Sequence, residues 1–388
     1  RRTCTRRTRR TRGSGHGEVS PTLTLWVNWR DLRNPLAGGA EVHAHEVLSR
    51  LAARGWECTL VSHAVPGLPE RETESGYTIL REGGASTFNL TVMSQLPAWI
   101  ERTRARLVVD DSNKIAFFAP WRTRVPVVAL IHHMFGSAIF REASLPVALY
   151  VHLAERLVPR CYRDVPVMTG SPSARAEFLG LGMRDVTDVG EGVDLSGYGP
   201  PAEGERDPDM LLYLGRIKKY KGLDVLLRAV ERLAPAHPGV RLEIAGSGDD
   251  VPRLEKVARD LGIESRVRFL GRVSEEDKIR LYRRASVALN SSLKEGWGLT
   301  SIEANGCGTP VVASDVPGLC DSVRDGSTGF LVPFGDHEAL AERVGRILSN
   351  ADLASSMRRD CLEWAARHTW DRVADQTESV LVRALGGG

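Results

Sequence analysis

Residues 289–318, LNSSLKEGWGLTSIEANGCGTPVVASDVPG, decide how this chain is read. A β-rich run (ASVALN) leads in, Glu295-Gly296-Trp297-Gly298-Leu299 forms the centre, and a small-residue helix is predicted over 299–306. A second apolar strand, PVVAS, follows. The pattern is a strand end, a glycine turn and a helix N-terminus. Glycines let the backbone come close to a ligand, and the first helical turn offers unpaired N–H groups at its positive pole. Such an end suits a phosphate. Glu303 lies inside the helix near that mouth, where a carboxylate accepts both hydrogen bonds of a vicinal diol such as a ribose. Glu295, at the strand end, faces what lies beyond the phosphates. Together they suit a sugar nucleotide: diphosphate on the amides of Gly296, Trp297, Gly298 and Leu299, ribose on Glu303, hexose near Glu295. The competing reading makes both glutamates solvated flank charges, the usual fate of Glu. Glycines, helix start and apolar strands agree on one geometry, and that favours a site.

Upstream, MLLYLG (210–215) runs into Arg216-Ile217-Lys218-Lys219-Tyr220-Lys221-Gly222. A helix over 223–233 places its apolar residues at 223, 226, 227, 230 and 233, on one face. Arg216 leaves a strand tip and Lys221 precedes a helix start, so both cations can reach one point. A diphosphate leaving group needs such a pair, because charge builds on it as the glycosidic bond breaks. RLEIAGSGDD (241–250) brings Gly246 to a strand end beside the expected nucleotide, and RFLGRV is expected to edge the base. TGFLVPFGD (328–336) adds a further unit, and helices are expected at 337–349, 352–367 and 370–385. The last has an apolar stripe at Trp370, Val373, Ala374 and Leu381, so it packs on another surface.

The first half repeats the strand–helix alternation: TLTLWVN (22–28), a helix over 40–53, ECTLVS (57–62), YTIL (77–80), RLVVDD (106–111), VPVVALIHH (125–133) and VPVMTGS (165–171). Such alternation argues for a parallel sheet covered on both faces, with ligands beyond the carboxyl ends of its strands. Gly38-Gly39 ahead of the first helix is a phosphate-compatible turn. It is not a tight G-x-G-x-x-G, which disfavours a dinucleotide fold. His43 and His45 sit two apart and would point to different helix faces, so no metal site is expected there. His132 and His133 fall at a strand's carboxyl end. Residues 141–163 combine apolar side chains with flanking arginines, which suits either a membrane surface or a buried helix with a charged outer face. LSGYGPPAEGERDPD (195–209) reads as a hinge.

E-x7-E followed by A-x-x-x-G-x-P-V-V-A-S-D, with Gly318 after it, resembles the donor-site signature of retaining GT-B glycosyltransferases of family 4. G-R-(x)4-K-G at Gly215 to Gly222 is similar to another of that family's motifs. The resemblance implies two Rossmann-like α/β domains facing across a cleft. Residues 21–195 would form the acceptor-side domain, 196–208 the linker and 209–368 the nucleotide-sugar domain, with 369–388 crossing back to the first. It implies that Gly38, Gly39 and Glu41 face the cleft. It places the family histidine, usually followed by Asp, at His132, with His133 in the Asp position; we take His132, which would hold the transferred sugar through its ring or its backbone. GEGVD (190–194) resembles N-G-V-D with Glu191 where Asn is usual, Asn305 stands where Met is usual, and Trp297 replaces a common Phe. The implied activity is transfer of a hexosyl unit from a UDP- or GDP-linked sugar to a glycan, lipid-linked or small natural-product acceptor, with retention. No cofactor and no metal are expected, since the two cations do the work of a divalent ion.

Bulk numbers agree. A chain of 388 residues exceeds one compact core, so two domains are expected. The net charge of +3 misleads: residues 1–12 hold seven arginines and no acid, which leaves −4 for the rest. Residues 1–20 read as a disordered basic tail, either without a role or as an arm on anionic lipid. The mildly acidic body has no nucleic-acid footprint. Six scattered cysteines read as reduced thiols of a cytoplasmic protein, and no apolar run reaches membrane-spanning length. The N-terminal stretch lacks the apolar core of a signal peptide. Peripheral contact with the inner membrane face is compatible with the basic and apolar stretches. Rival readings are a nucleotide-sugar epimerase, a phosphorylase, a hydrolase using Glu295 and Glu303 as an acid–base pair, and a non-catalytic sensor. A hydrolase needs its carboxyls across one glycosidic bond, whereas here one should sit beside a phosphate-type helix start. A phosphorylase needs a cofactor lysine or a phosphate site of its own, and the sequence offers no sign of either.

Overall fold

A computed structural model describes residues 22–386 except 114, 133, 135, 137, 138 and 143. The expected basic tail and His133 lie outside the described residues. Two parallel sheets organise the chain, each built by strands alternating with helices.

The first sheet begins with β1 (Leu23–Asn28), α1 (Gly39–Ala53) and β2 (Glu57–Ser62), then β3 (Arg71–Glu74), β4 (Tyr77–Arg81), α2 (Phe88–Thr103) and β5 (Leu107–Ser112). It continues through β6 (Val127–Ile131), α3 (Ile139–Glu142), α4 (Leu145–Glu155), α5 (Val158–Cys161), β7 (Val167–Thr169), α6 (Pro172–Gly180) and β8 (Val186–Asp188). Strand order is β3-β4-β2-β1-β5-β6-β7-β8, parallel except for β3 on β4. The antiparallel β3, RETE, has no apolar residue to announce it. It folds back through Ser75 and Gly76 (φ 47° and 88°) and its ladder supplies the pairing. The single apolar segment expected over 141–163 is instead three short helices. Pro146 sits in the first turn of α4 and Pro159 in that of α5, where the missing N–H is tolerated.

The second sheet comprises β9 (Met210–Leu214), α7 (Leu223–Leu233), β10 (Arg241–Ala245), α8 (Val251–Asp260), β11 (Val267–Gly271), α9 (Glu275–Arg284), β12 (Val287–Asn290), α10 (Leu299–Gly306), β13 (Val311–Ser314), α11 (Leu319–Ser322) and β14 (Gly329–Val332). Its order, β11-β10-β9-β12-β13-β14, reverses direction of growth between β9 and β12, and the crevice at such a switch is where open α/β sheets bind ligands. Helices α12 (His337–Ser349), α13 (Ala351–Ala365) and α14 (Trp370–Gly386) close the chain. Residues between β8 and β9 form no strand or helix longer than a turn.

Each sheet has its own core. Leu226, Leu227, Val230 and Leu233 of α7 pack with Leu211, Leu242 and Val287 of the second sheet. In the first sheet, Trp26, Leu60, Val109 and Val128 pack with Val47, Leu48 and Leu51 of α1. The same cluster includes Trp370, Val373, Val380 and Leu381 of α14. The last helix therefore crosses back onto the first half of the chain, and Arg54 pins it through Asp375 and Glu378, both at 2.7 Å.

Candidate functional site

Parallel strands share one carboxyl edge, and in the second sheet Arg216, Gly246 and Glu295 follow adjacent strands β9, β10 and β12 along it. Arg216 is exposed, and its guanidinium donates to the Tyr220 hydroxyl at 3.3 Å while Tyr213 OH holds its carbonyl at 2.9 Å. Lys221 ends a short 3-10 turn, and Gly222 (φ 64°) caps α7. A Cβ on Gly222 would lie 2.6 Å from the Ser291 carbonyl oxygen, so only glycine allows this approach. Ser291 Oγ donates to the carbonyls of Lys221 and Gly222, both at 2.9 Å. The lysine turn and the end of β12 are thus one unit.

That unit places the buried Lys221 ammonium directly on Glu295 Oε1, which also accepts from Ser292 Oγ at 2.6 Å. Beyond it, Gly298 (φ 80°) opens α10 from the left-handed region. Gly318 (φ 87°) supports the turn from below: a Cβ there would stand 2.5 Å from the Glu295 carbonyl oxygen. Gly296 and Leu299 are exposed at the helix mouth, whereas the Trp297 indole turns inward. It is packed against Val193, Ile302 and Ala365 and edge-on to His368 at 4.9 Å, which leaves only its backbone facing the mouth. Arg216, Lys221, Glu295 and the start of α10 therefore form one charged edge.

Glu303, inside α10, is tied to α9 instead. One carboxylate oxygen takes a 2.8 Å contact from Lys278 and the other a 3.1 Å hydrogen bond from Tyr282, both on α9. Lys278 also reaches Glu275 at 2.8 Å and lies over the Tyr198 ring at 5.8 Å. The expected free acceptor is an ion-paired carboxylate, and the sequence reading missed Lys278 altogether. Gly246 (φ 137°) has a local reason to be glycine, since a Cβ would fall 1.8 Å from the Gly215 carbonyl oxygen of the neighbouring strand tip.

On the first sheet, Gly38 and Gly39 are exposed at the N-terminus of α1. Glu41 is buried rather than facing outward, because Oε2 accepts from the Gly38 N–H at 2.7 Å and Oε1 from Asn113 at 2.7 Å. Asn113 also donates to Asn28, and Asn28 to Asp111, at 2.9 and 2.8 Å. Asp111 Oδ1 stands 3.7 Å from His132 Nε2, an ion-pair distance longer than a hydrogen bond. The other ring nitrogen, Nδ1, meets Glu191 Oε1 at 3.2 Å, and Glu191 Oε2 meets His43 Nδ1 at 3.0 Å. A polar chain so runs from the glycine turn along the carboxyl ends of β1, β5 and β6 to His132, Glu191 and His43.

Burial opposes charge on His132, but its two carboxylate neighbours win and lift its pKa to about 10. Burial likewise opposes charge on Glu191, and His43 and His132 draw it down to about 2. His43 and His45 do point apart: His45 Nδ1 meets the Tyr77 hydroxyl at 3.0 Å. Among the described residues, His43, His132 and Glu191 have ligand-type atoms within 4.8 Å of one another and could surround a cation. One Nδ1 on each carboxylate oxygen equally describes a hydrogen-bonded bridge. No spacing within one segment predicts it, since its members come from positions far apart in the chain.

Two parallel α/β sheets, one with Arg216, Lys221 and Glu295 gathered on its carboxyl edge beside a helix N-terminus, have the layout of the GT-B class, and the comparisons agree. Residues 201–364 match the family of glycosyl transferases group 1, and residues 37–196 match glycosyltransferase family 4. A D-inositol 3-phosphate glycosyltransferase of Streptomyces bingchenggensis is 30% identical over 391 residues, spanning 90% of this chain and 86% of its own length. That of Mycobacteroides abscessus is 40% identical over 210 residues, 51% of this chain and 46% of its own. Sucrose-phosphate synthase from Thermosynechococcus elongatus superposes with a TM-score of 0.73 at 21% identity, covering 95% of this chain and 100% of that one. Anabaena HepE in complex with UDP and glucose gives 0.66 at 20% identity, covering 92% and 99%. The chain belongs to the group 1, family 4 glycosyltransferases and has the GT-B fold. It is an enzyme that transfers a sugar from a nucleotide-sugar donor. No helix among the described residues is long and apolar enough to cross a membrane.

Proposed function

We propose that this glycosyltransferase moves a hexosyl unit from a UDP- or GDP-linked sugar to a hydroxyl of a glycan, lipid-linked or small-molecule acceptor, with retention of configuration. The observation behind this reading is the meeting of Lys221 and Glu295 beside the N-terminus of α10, with Arg216 on the adjacent strand end. Lys221, Arg216 and the amides of Gly296 to Leu299 neutralise the departing diphosphate. Glu295, oriented by Lys221 and Ser292, accepts from the sugar hydroxyls and steadies the cationic sugar centre. Glu303 takes the ribose hydroxyls while sharing its charge with Lys278. Both ring nitrogens of His132 face carboxylates, so its contact with the sugar runs through the backbone carbonyl. Gly38 and Gly39 close over the phosphate from the first domain.

Two side-chain cations supply the positive charge, so this mechanism draws on no divalent ion and EDTA should leave the rate unchanged. HepE was solved with UDP and with UDP-glucose, which puts UDP sugars first among donors to try. The relatives' names put a phosphorylated cyclitol first among acceptors.

A panel of nucleotide sugars read by thermal shift tests the reading. A bound donor raises the unfolding midpoint, and Arg216→Ala should abolish the gain. No response to any nucleotide sugar would overturn it. Incubation with donor alone separates the rivals, since an epimerase converts the donor and a hydrolase releases free sugar at the full rate.

A further inference from the structure

Helix α4 is mounted with its more apolar side outward. Ala148, Val151 and Glu155 are its buried residues, and Glu155 accepts from the Gly136 N–H at 2.9 Å. Leu145, Leu149 and Leu153 recur every fourth residue on the outer side and are 71%, 49% and 49% exposed, with Tyr150 beside them at 48%. A soluble helix normally turns such a stripe to the core. Leu157 continues the same ridge one turn on, and Leu90 of α2 widens it, because Asn89 bonds the Tyr150 hydroxyl. Contiguous exposed leucines of this kind mark an interaction surface rather than scattered surface residues.

We propose that this face docks on an anionic lipid bilayer, with α4 lying in the interfacial plane. The charge pattern selects that partner. Arg156, Arg160 and Arg163 are exposed and follow directly on the leucine ridge. Helical spacing carries Arg156, the C-cap of α4, onto the same side as Leu145, Leu149 and Leu153, and Arg160 is exposed on α5, which follows one turn later. The one acid of α4, Glu155, is buried. An apolar ridge ending in arginines inserts its leucines at the acyl boundary and sets its guanidinium groups among phosphate headgroups. On the opposite, buried side of α4, Gly136 ties the loop after His132 to Glu155. The inference stands on this surface alone and does not depend on which sugar is transferred.

The test is co-sedimentation of the full chain with vesicles of phosphatidylcholine alone and of phosphatidylcholine with an equal share of phosphatidylglycerol. Wild type should pellet with the anionic vesicles and remain in solution with the neutral ones. Leu149→Ser combined with Leu153→Ser should weaken anionic-vesicle binding by at least about tenfold. Arg156→Glu combined with Arg160→Glu should do the same by about tenfold or more. Both variants change exposed side chains, so each should keep the wild-type nucleotide-sugar thermal shift. Failure to pellet at all overturns the proposal. So does leucine-variant binding equal to wild type, which would assign the attachment to the arginines of residues 1–12. A concentration-dependent dimer in sedimentation equilibrium, lost in the leucine variant and insensitive to lipid, would assign the face to a second copy of the chain.

Discussion

Glu191→Gln should uncouple the charge of His132 from its surroundings. In the wild type one carboxylate serves two imidazoles, with His43 at 3.0 Å and His132 at 3.2 Å. Glutamine keeps the shape but is uncharged and has one acceptor oxygen, so His132 loses one of the two carboxylates that hold its proton. A pKa lifted from 6.5 to about 10 corresponds to a ceiling of about 4 kcal/mol at neutral pH. Asp111 remains and glutamine retains a hydrogen bond, so about 2 kcal/mol is the expected loss. For a domain of roughly 150–250 residues that is about 4–8 °C in midpoint. The sign follows from the direction of each shift. His132 is raised, so its contribution is complete below the unfolded value of 6.5 and fades as pH climbs through about 10. Glu191 is depressed, so its contribution is complete above 4.5 and is lost as pH falls through about 2. Both describe one interaction and are not added. Thermal scans of wild type and variant should show a midpoint gap that is widest between about pH 4.5 and 6.5, shrinks as pH rises further and closes above about pH 10. Histidine NMR should show the His132 ring of the variant titrating near the ordinary range. A pH-independent gap, or a wild-type His132 titrating near 6.5, would refute the reasoning.

Three further substitutions probe the second domain. Lys221→Met removes the ammonium beside Glu295 and should lower kcat by about 100- to 1,000-fold, read by initial rates at saturating donor. Glu303→Gln weakens the contact with Lys278 and the proposed ribose grip together, and should raise the donor KM about tenfold while kcat changes little. Gly318→Ala forces a side chain at φ 87° to within 2.5 Å of the Glu295 carbonyl oxygen, which should destabilise the turn by about 1–3 kcal/mol. Thermal unfolding measures that loss, and the donor-induced shift should shrink with it.

Elements with a strong period and glycine punctuation were legible. Helices over 223–233, 299–306 and 337–349 fall where the sequence puts them, because a left-handed glycine or an Asp cap fixes each start and an apolar face carries the period onward. That Lys221 and Glu295 share one sheet edge was legible for a related reason, since each follows a strand of one parallel sheet and that topology brings strand ends together, but their direct ion pair was not expected. What escaped depends on which loops face each other. RETE became a strand only because β4 offers it a ladder, with Arg81 bonded to Glu72 at 2.8 Å and to Asp31 at 2.8 and 2.9 Å. The pairing of Lys278 with Glu303 and the bridge from His43 to Glu191, 148 residues away, join segments whose local patterns say nothing of one another. Glu191 could have been flagged by its departure from the expected Asn, since an unusual acid invites a search for a nearby base.

The crossing of α14 determines how the two charged edges address each other. Trp370 packs in the first sheet's core and meets His43 edge-on at 5.6 Å, so the last helix moves with the histidine wall. Immediately before it, the Val193 N–H donates to the His368 carbonyl at 3.0 Å, and His368 stacks edge-on against Trp364 of α13. The two chain passages between the sheets are therefore bonded side by side. Across the cleft the contacts are polar: Ser173 Oγ to Asp321 at 2.9 Å and Lys294 to the Met134 carbonyl at 3.4 Å. Apolar packing at the passages and a few hydrogen bonds at the mouth would suit a hinge, because the polar pairs exchange with water at little cost while the packed seam does not. Lys221 and Glu295 on one wall and the chain from Gly38 to His132 on the other are each rigid on their own sheet. A closure about this seam would bring the two half-sites together without rebuilding either.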